Sequence, residues 1–196
     1  FSVFRESFVT FFSNRRLRGT AFVDMATYFA YGAFETFLPI LLASHEMSAY
    51  ETGIIFAVQV LIIASTKPLF GRVADRVDKR VQILAGIILT GVLIALVPFG
   101  QSFTQFLILS SLFGLGMSIS TVATTAYIAD VARKEQIGAS MGALSSIMDI
   151  GQSTGPLVTG MVITAIGYTS GFFFSFVLAI VVSVLFVVSV IDHSHQ

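Results

Sequence analysis

The sequence predicts an all-α membrane protein, because it is very apolar and its long apolar runs are separated by short charged segments. Of its 196 residues, 55% are hydrophobic and only 11% are charged, and the mean hydropathy is +0.89. This composition is too apolar for a soluble domain. A membrane-spanning helix needs roughly 20 mostly apolar residues. The length therefore accommodates six transmembrane helices joined by short loops.

Glycine, proline and charged residues separate the apolar runs and mark the ends of the spans. We predict a six-helix bundle over residues 19–191, an amphipathic lead-in helix over 1–18 and a short cytoplasmic tail over 192–196. The lead-in has phenylalanines at helical spacing and ends in a basic cluster, as expected of a cytoplasmic helix lying in the membrane interface; a flexible linker is the alternative. The spans are predicted at 19–44, 50–70, 81–100, 103–130, 137–166 and 169–191.

Lysine and arginine residues collect on one side of the predicted bundle. Ten of the eleven lie in the lead-in, in the loop over 71–80 or just after the fourth span. The positive-inside rule then places both termini in the cytoplasm, and we expect the cell membrane as the location. The exception, Lys67, lies near the cytoplasmic end of its span, where its long side chain is expected to reach the interface.

The loop after the second span carries the most specific motif. Its ten residues, 71–80, hold six charges and follow the order Gly-x-x-Ala-Asp-Arg-x-x-basic-basic. Gly71, Asp75, Arg76 and Arg80 occupy defining positions of this pattern. The loop resembles the signature of the major facilitator superfamily of secondary transporters, where it joins the second and third helices of a six-helix half.

A glycine and proline run in the fifth span supports the same resemblance. It contains Gly151, Gly155, Pro156 and Gly160, and it resembles a fifth-helix motif of drug and proton antiporters in the superfamily. Glycines permit close helix approach, and the proline removes a backbone donor. The fourth span lacks the arginine that many antiporters carry before a Gly-x-Gly. Because it lacks this arginine and has a basic lead-in, the chain resembles the C-terminal half of a twelve-helix transporter.

The resemblance implies a six-helix half whose cavity is completed by a companion half or by a second copy. Transporter halves are often built from two inverted three-helix repeats. The segments 65–71 and 153–160 resemble each other, as such repeats require, although chance similarity is the alternative. Because Phe1 is not a start methionine, we expect the chain to be a piece of a longer protein.

The resemblance also implies a charge network at the cytoplasmic side of the bundle. In this network Asp130, at the end of the fourth span, is expected to meet Arg76 or Arg80 from the signature loop. A cluster that forms in one conformation and breaks in another would act as a latch. A charge patch that only sets the membrane topology is the alternative.

Polar side chains at membrane depth mark the candidate binding site. Asp24, Tyr28, Tyr31 and Glu35 are separated by four, three and four residues, so they share one face of the first helix. A charged side chain near the midplane costs about 2.5–3.5 kcal/mol on insertion scales, so Glu35 is expected to meet a cavity, a partner or a proton. Substrate or proton binding is the functional interpretation. A protonated or paired structural acid is the alternative, and a structural role is at least as plausible for Asp24.

The second and fifth spans add further polar candidates. Asp149 and Gln152 share one face of the fifth span, and Gln59 lies near the middle of the second. Together with Tyr28 and Tyr31 they would line a polar pocket for an organic ligand. Tyrosines at helical spacing are as often simple packing residues, and that interpretation stays open here.

The resemblance and the polar residues together predict half of a secondary transporter that moves a small organic solute or drug by alternating access, coupled to protons through Glu35, Asp149 or both. A non-transporting scaffold or receptor-like module that acts by helix association is the competing class. The sequence contains no nucleophile and base pair, metal-ligand spacing or cofactor fingerprint. We therefore predict no enzymatic activity, cofactor or metal, and the zero net charge gives no indication of nucleic acid as a partner.

Overall fold

A computed structural model of the chain describes residues 12–132 and 134–191. Six long helices account for most of this described part, and short 3₁₀ turns at Val97–Phe99 and Lys134–Gln136 lie between them. The helices are α1 (Arg15–Ser44), α2 (Ala49–Ala74), α3 (Lys79–Leu96), α4 (Phe103–Val131), α5 (Ile137–Ile166) and α6 (Tyr168–Ile191).

The helices match the predicted spans to within four residues at each end, and the first begins earlier than expected. The Asn14 side chain caps α1 by accepting hydrogen bonds from the backbone N–H groups of Arg16 at 3.0 Å and Leu17 at 3.3 Å. The basic cluster that was expected to close the lead-in helix therefore forms the first turn of α1. Residues 1–11 of the lead-in and the tail, 192–196, lie outside the described residues.

Side-chain caps explain why the other helices begin where they do. The Ser48 hydroxyl accepts from the backbone N–H of Glu51 at 3.2 Å, and the Glu51 carboxylate accepts from the Ser48 N–H at 2.8 Å. This reciprocal pair satisfies two backbone donors that the first turn of α2 would leave unpaired. Asp78 and Ser102 cap α3 and α4 with single side-chain bonds. The connection from α5 to α6 is Gly167 alone, at φ +95°, a conformation that side chains with a Cβ rarely adopt.

The bundle is organised around α1 and α4. Helix α1 packs most extensively against α5 and α6, and α4 packs most extensively against α3 and α2. The two central helices also contact each other, and the stacked rings of Phe34 and Phe113, with centroids 4.4 Å apart, join them within the core. Helix α2 has its main contacts with α4 and far fewer with α1. Much of its surface is therefore exposed.

Glycines bring α1 and α5 into backbone contact. A Cβ atom at Gly151 would overlap the carbonyl oxygen of Met25, and one at Gly155 would overlap that of Phe29. From the other side, a Cβ at Gly32 would overlap the carbonyl oxygen of Gln152. Small residues at such a crossing allow the helices to approach closely in a membrane, where packing rather than the hydrophobic effect drives association.

Five of the six described helices are long and apolar enough to cross a membrane, namely α1, α2, α3 with its following 3₁₀ turn, α4 and α6. Helix α5 is as long as α1 but is not among these five. This all-helical architecture is that of a multi-pass membrane protein.

The crossing of α1 and α5 yields a stability prediction. We expect Gly155→Ala to lower the free energy of unfolding by about 1–3 kcal/mol, the usual cost of overpacking, because the new methyl group would meet the Phe29 carbonyl. The measurement is the thermal denaturation midpoint of the purified protein. Gly142→Ala in the same helix is the matched control, since a Cβ there has no neighbour within 4 Å. Equal midpoints for the two variants would contradict the packing.

Candidate functional site

A cavity lies between four of the helices, α1, α2, α4 and α5. Its volume is about 430 Å³, and we call it the central groove. Helix α4 forms most of its wall, while α1, α2 and α5 contribute one lining residue each. The lining residues are Tyr28, Lys67, Thr121, Val122, Thr125, Ala126, Ala129 and Met148.

Asp24 lies one helical turn before Tyr28 on α1 and is completely buried. The hydroxyl of Thr124 on α4 donates a hydrogen bond to its Oδ1 at 2.6 Å, while Oδ2 has no partner among the described residues. The Lys67 ammonium is close enough to interact electrostatically with this carboxyl group. A carboxylate is costly to bury without compensation, so Thr124 and Lys67 are the groups that compensate Asp24.

Acids from α1 and α5 converge on Tyr28. This tyrosine is half-buried, and it meets Tyr31 edge to face with ring centroids 6.4 Å apart. Asp24 on its own helix and Asp149 on α5 both lie within electrostatic reach of its hydroxyl. The fold thus brings Tyr28 near acids from two helices.

Glu35 and Asp149 are both exposed, and Glu35 contacts α5 as well. Nε2 of Gln152 donates to Oε2 of Glu35 at 3.4 Å, a long hydrogen bond. Neither acid is sealed in dry helix contacts. Both side chains are therefore accessible at the surface of the described chain.

We expected Gln59 to line the polar pocket, but it is not among the residues that line the central groove. Its side chain is completely buried between α2 and α4, where its aliphatic part and backbone carbonyl lie against Gly114. Both of its amide atoms lack a partner among the described residues. Gln59 lies here because Gly114 has no side chain and leaves space that Gln59 fills.

The glycine and proline motif of α5 serves the α1 crossing rather than the groove wall. Gly151 and Gly155 lie against the α1 backbone, and Gly160 faces the ring of Phe37. The Pro156 ring lies close to Gly32 on α1. These residues are therefore involved in helix packing, as their residue types indicate.

Asp130, at the end of α4, pairs with a different basic residue from the ones expected. Asp130 forms a 2.9 Å salt bridge with Lys79, the first residue of α3, rather than with Arg76 or Arg80. Asp75 ends α2 as its C-terminal cap, with its backbone N–H directed to the carbonyl of Gly71. The signature loop and the end of α4 do meet, as the charge pattern predicts.

Sequence reasoning missed several residues that the fold brings to the site. Lys67 lines the central groove instead of extending only to the membrane interface, and Thr124 binds Asp24. The position of Lys67 inside a predicted span could have marked it as a candidate, because a lysine is rare at such a position. No signal in the sequence marked Thr124 among the many threonines of α4, because its role depends on the position of α1.

Several long apolar helices with a cavity between four of them define a multi-pass membrane protein. The chain belongs to the major facilitator superfamily, whose family profile matches residues 20–196. The predicted resemblance is therefore confirmed.

Curated relatives point to the same family. Multidrug resistance protein MdtG of Rahnella sp. (strain Y9602) is 28% identical over 149 residues, which cover 74% of this chain and 36% of that protein. MdtG of Dickeya zeae (strain Ech586) is 27% identical over 174 residues, covering 84% of this chain and 41% of that protein. MdtG of Proteus mirabilis (strain HI4320) is 28% identical over 159 residues, with 78% and 38% covered. The chain thus spans about two fifths of the length of these relatives.

The Asp24 environment yields a second stability prediction. We expect Thr124→Val to destabilise the protein by about 1–3 kcal/mol, because it leaves a buried acceptor without its donor. Thr125→Val is the matched control, since that hydroxyl donates only to the Thr121 carbonyl of its own helix. Denaturation midpoints of both variants provide the measurement. In an Asp24→Leu background, which has no acceptor for the Thr124 hydroxyl, the effect of Thr124→Val should shrink, and an undiminished effect would contradict the assigned contact.

Proposed function

We propose that the chain is one six-helix half of a secondary transporter that moves a small organic solute or drug across the membrane. The central groove is the observation that carries this proposal. A cavity of about 430 Å³ falls in the size range of small-molecule sites. Lys67 and Tyr28 line it, and the buried Asp24 and the exposed Asp149 lie within electrostatic reach of Lys67 and Tyr28, respectively. Charged groups at membrane depth typically mark substrate or ion pathways.

In this proposal α5 crosses the membrane with the five more apolar helices, and α1–α3 and α4–α6 are inverted repeats. The packing pattern supports the repeats, because exchanging the two units reproduces it. Helix α2 packs on α4 as α5 packs on α1, and α3 packs on α4 as α6 packs on α1. Such repeats place a binding site near the bilayer midplane, between the units.

A companion six-helix half, or a second copy of this one, would complete the cavity. Large apolar side chains on α2 and α5 remain uncovered, with Leu61 66% and Leu157 67% exposed. The chain also spans only about two fifths of its curated relatives. Rocking of the two halves against each other would then open the groove to each side in turn. Both termini, including the segments 1–18 and 192–196, would lie in the cytoplasm and the protein in the cell membrane.

Proton coupling through Glu35, Asp149 or both follows from their accessibility. A carboxylate that meets water in one state and a closed cavity in the other takes up a proton on one side and releases it on the other. Tyr28 and Tyr31 offer flat amphipathic surfaces to an organic solute. The relatives named multidrug resistance proteins support a drug-like solute for this groove.

Transport by the complete protein in vesicles tests the coupling. We expect Glu35→Gln and Asp149→Asn to reduce proton-driven accumulation of a drug substrate by about tenfold or more, a lower bound beside the roughly 100-fold or greater contribution of a proton-transfer group in catalysis. Glu46→Gln is the control, since this exposed acid lies in the loop between α1 and α2. Uptake must be compared at equal protein abundance. Undiminished accumulation by both Glu35→Gln and Asp149→Asn would overturn the coupling, and no transport by the parent protein would favour a scaffold function.

We also propose that Gly71, Asp75, Arg76 and Arg80 act with the Asp130 and Lys79 pair as a conformational latch. The support is the 2.9 Å ion pair between the end of α4 and the start of α3, beside the capped end of α2. An ion pair at this position would stabilise whichever state keeps these helix ends together.

The latch predicts a transport defect without a folding defect. Asp75→Asn and Asp130→Asn should slow transport while membrane insertion and abundance stay normal. Lys79→Asp alone and Asp130→Lys alone should also slow transport. The double variant that carries both changes should recover part of that loss, because the ion pair re-forms with its charges exchanged. Full transport by the single variants would leave these residues with a topological role only.

A further inference from the structure

Lys67 gives the central groove a positive charge. Within the described chain it is the charged member of the groove lining. It lies seven residues before the end of α2, about 10 Å along the helix axis. Because its side chain lines the groove beside Tyr28, its ammonium is available to an occupant of the cavity.

The ammonium of Lys67 keeps its hydrogen-bonding capacity. No hydrogen bond or ion pair joins it to the rest of the described chain, and the nearby Oδ2 of Asp24 is itself without a hydrogen-bond partner. Asp24 therefore acts on Lys67 through space. A lysine ammonium has three donors and no acceptor, so these donors remain available in the groove.

The rest of the lining determines what kind of molecule fits beside this cation. The hydroxyls of Thr121 and Thr125 each donate to a carbonyl of their own helix at 2.8 Å, so neither offers a free proton. The donors that remain are those of Lys67 and the Tyr28 hydroxyl. Val122, Ala126 and Met148 supply apolar surface next to them.

We propose that Lys67, with the Tyr28 hydroxyl beside it, binds the anionic group of an amphiphilic organic solute whose apolar body lies along α4. Asp24 is a positioning residue that holds the ammonium in the groove when no solute is bound. The proposal rests on the proposed transport function and adds the charge class of the solute to it. An anion that enters the groove provides Lys67 with a direct hydrogen-bonded partner, which Asp24 does not.

Site-directed labelling tests the proposal, because the chain has no cysteine. Ala126→Cys places a thiol in the groove wall, in the complete protein with any other cysteines replaced. The rate of its reaction with the neutral reagent N-ethylmaleimide is measured with benzenesulfonate or with phenyltrimethylammonium, which are similar in size and opposite in charge. We expect benzenesulfonate to slow the reaction at concentrations where phenyltrimethylammonium does not.

Substitutions of Lys67 identify the group responsible. Lys67→Gln should weaken protection by benzenesulfonate roughly tenfold or more, the scale of one lost charge-assisted hydrogen bond, while Lys67→Arg should retain it. Lys134→Gln, a loss of the same charge outside the groove, should change nothing. Equal protection by both probes, no protection by benzenesulfonate, or protection that survives Lys67→Gln would each overturn the anion site. Because labelling does not require transport, these results stand apart from any failure of the transport assay.

Discussion

The cost of burying a carboxyl group among apolar helices governs the arrangement of this bundle. Asp24 is completely enclosed, and its compensation comes from two other helices, as the hydroxyl of Thr124 on α4 and the charge of Lys67 on α2. Water cannot satisfy such a group inside a dry bundle, so protein partners must do so. The positions of α1, α2 and α4 are therefore coupled through one side chain.

The contact between α1 and α4 combines polar and aromatic side chains. One turn beyond Asp24, the hydroxyls of Thr27 and Ser120 approach to 3.5 Å. The aromatic stack of Phe34 on Phe113 lies further along the same pair of helices. Polar contacts and a stacked pair thus share one interface, and they specify its register more narrowly than aliphatic packing alone would.

Close approach of α1 and α5 has a consequence for the groove. The glycines at 151 and 155 let the α5 backbone lie directly against α1. That contact carries Asp149 to within electrostatic reach of Tyr28 and Gln152 to within reach of Glu35. On the opposite side, α2 is held mainly by α4 and leaves its other faces free. The groove exists because α5 and α2 pack on different central helices and stay apart.

The sequence by itself determined the all-helical membrane class, the approximate ends of the six helices, the family and the shared face of Asp24, Tyr28, Tyr31 and Glu35. These follow from composition, from motifs and from the helical period, which act over one segment at a time. Only the tertiary structure decided that Gln59 is buried against Gly114, that Thr124 binds Asp24, that Lys79 pairs with Asp130 and that Lys67 enters the groove. Each of those outcomes depends on how far apart two helices lie and how they are rotated, and helical spacing within one segment contains neither quantity.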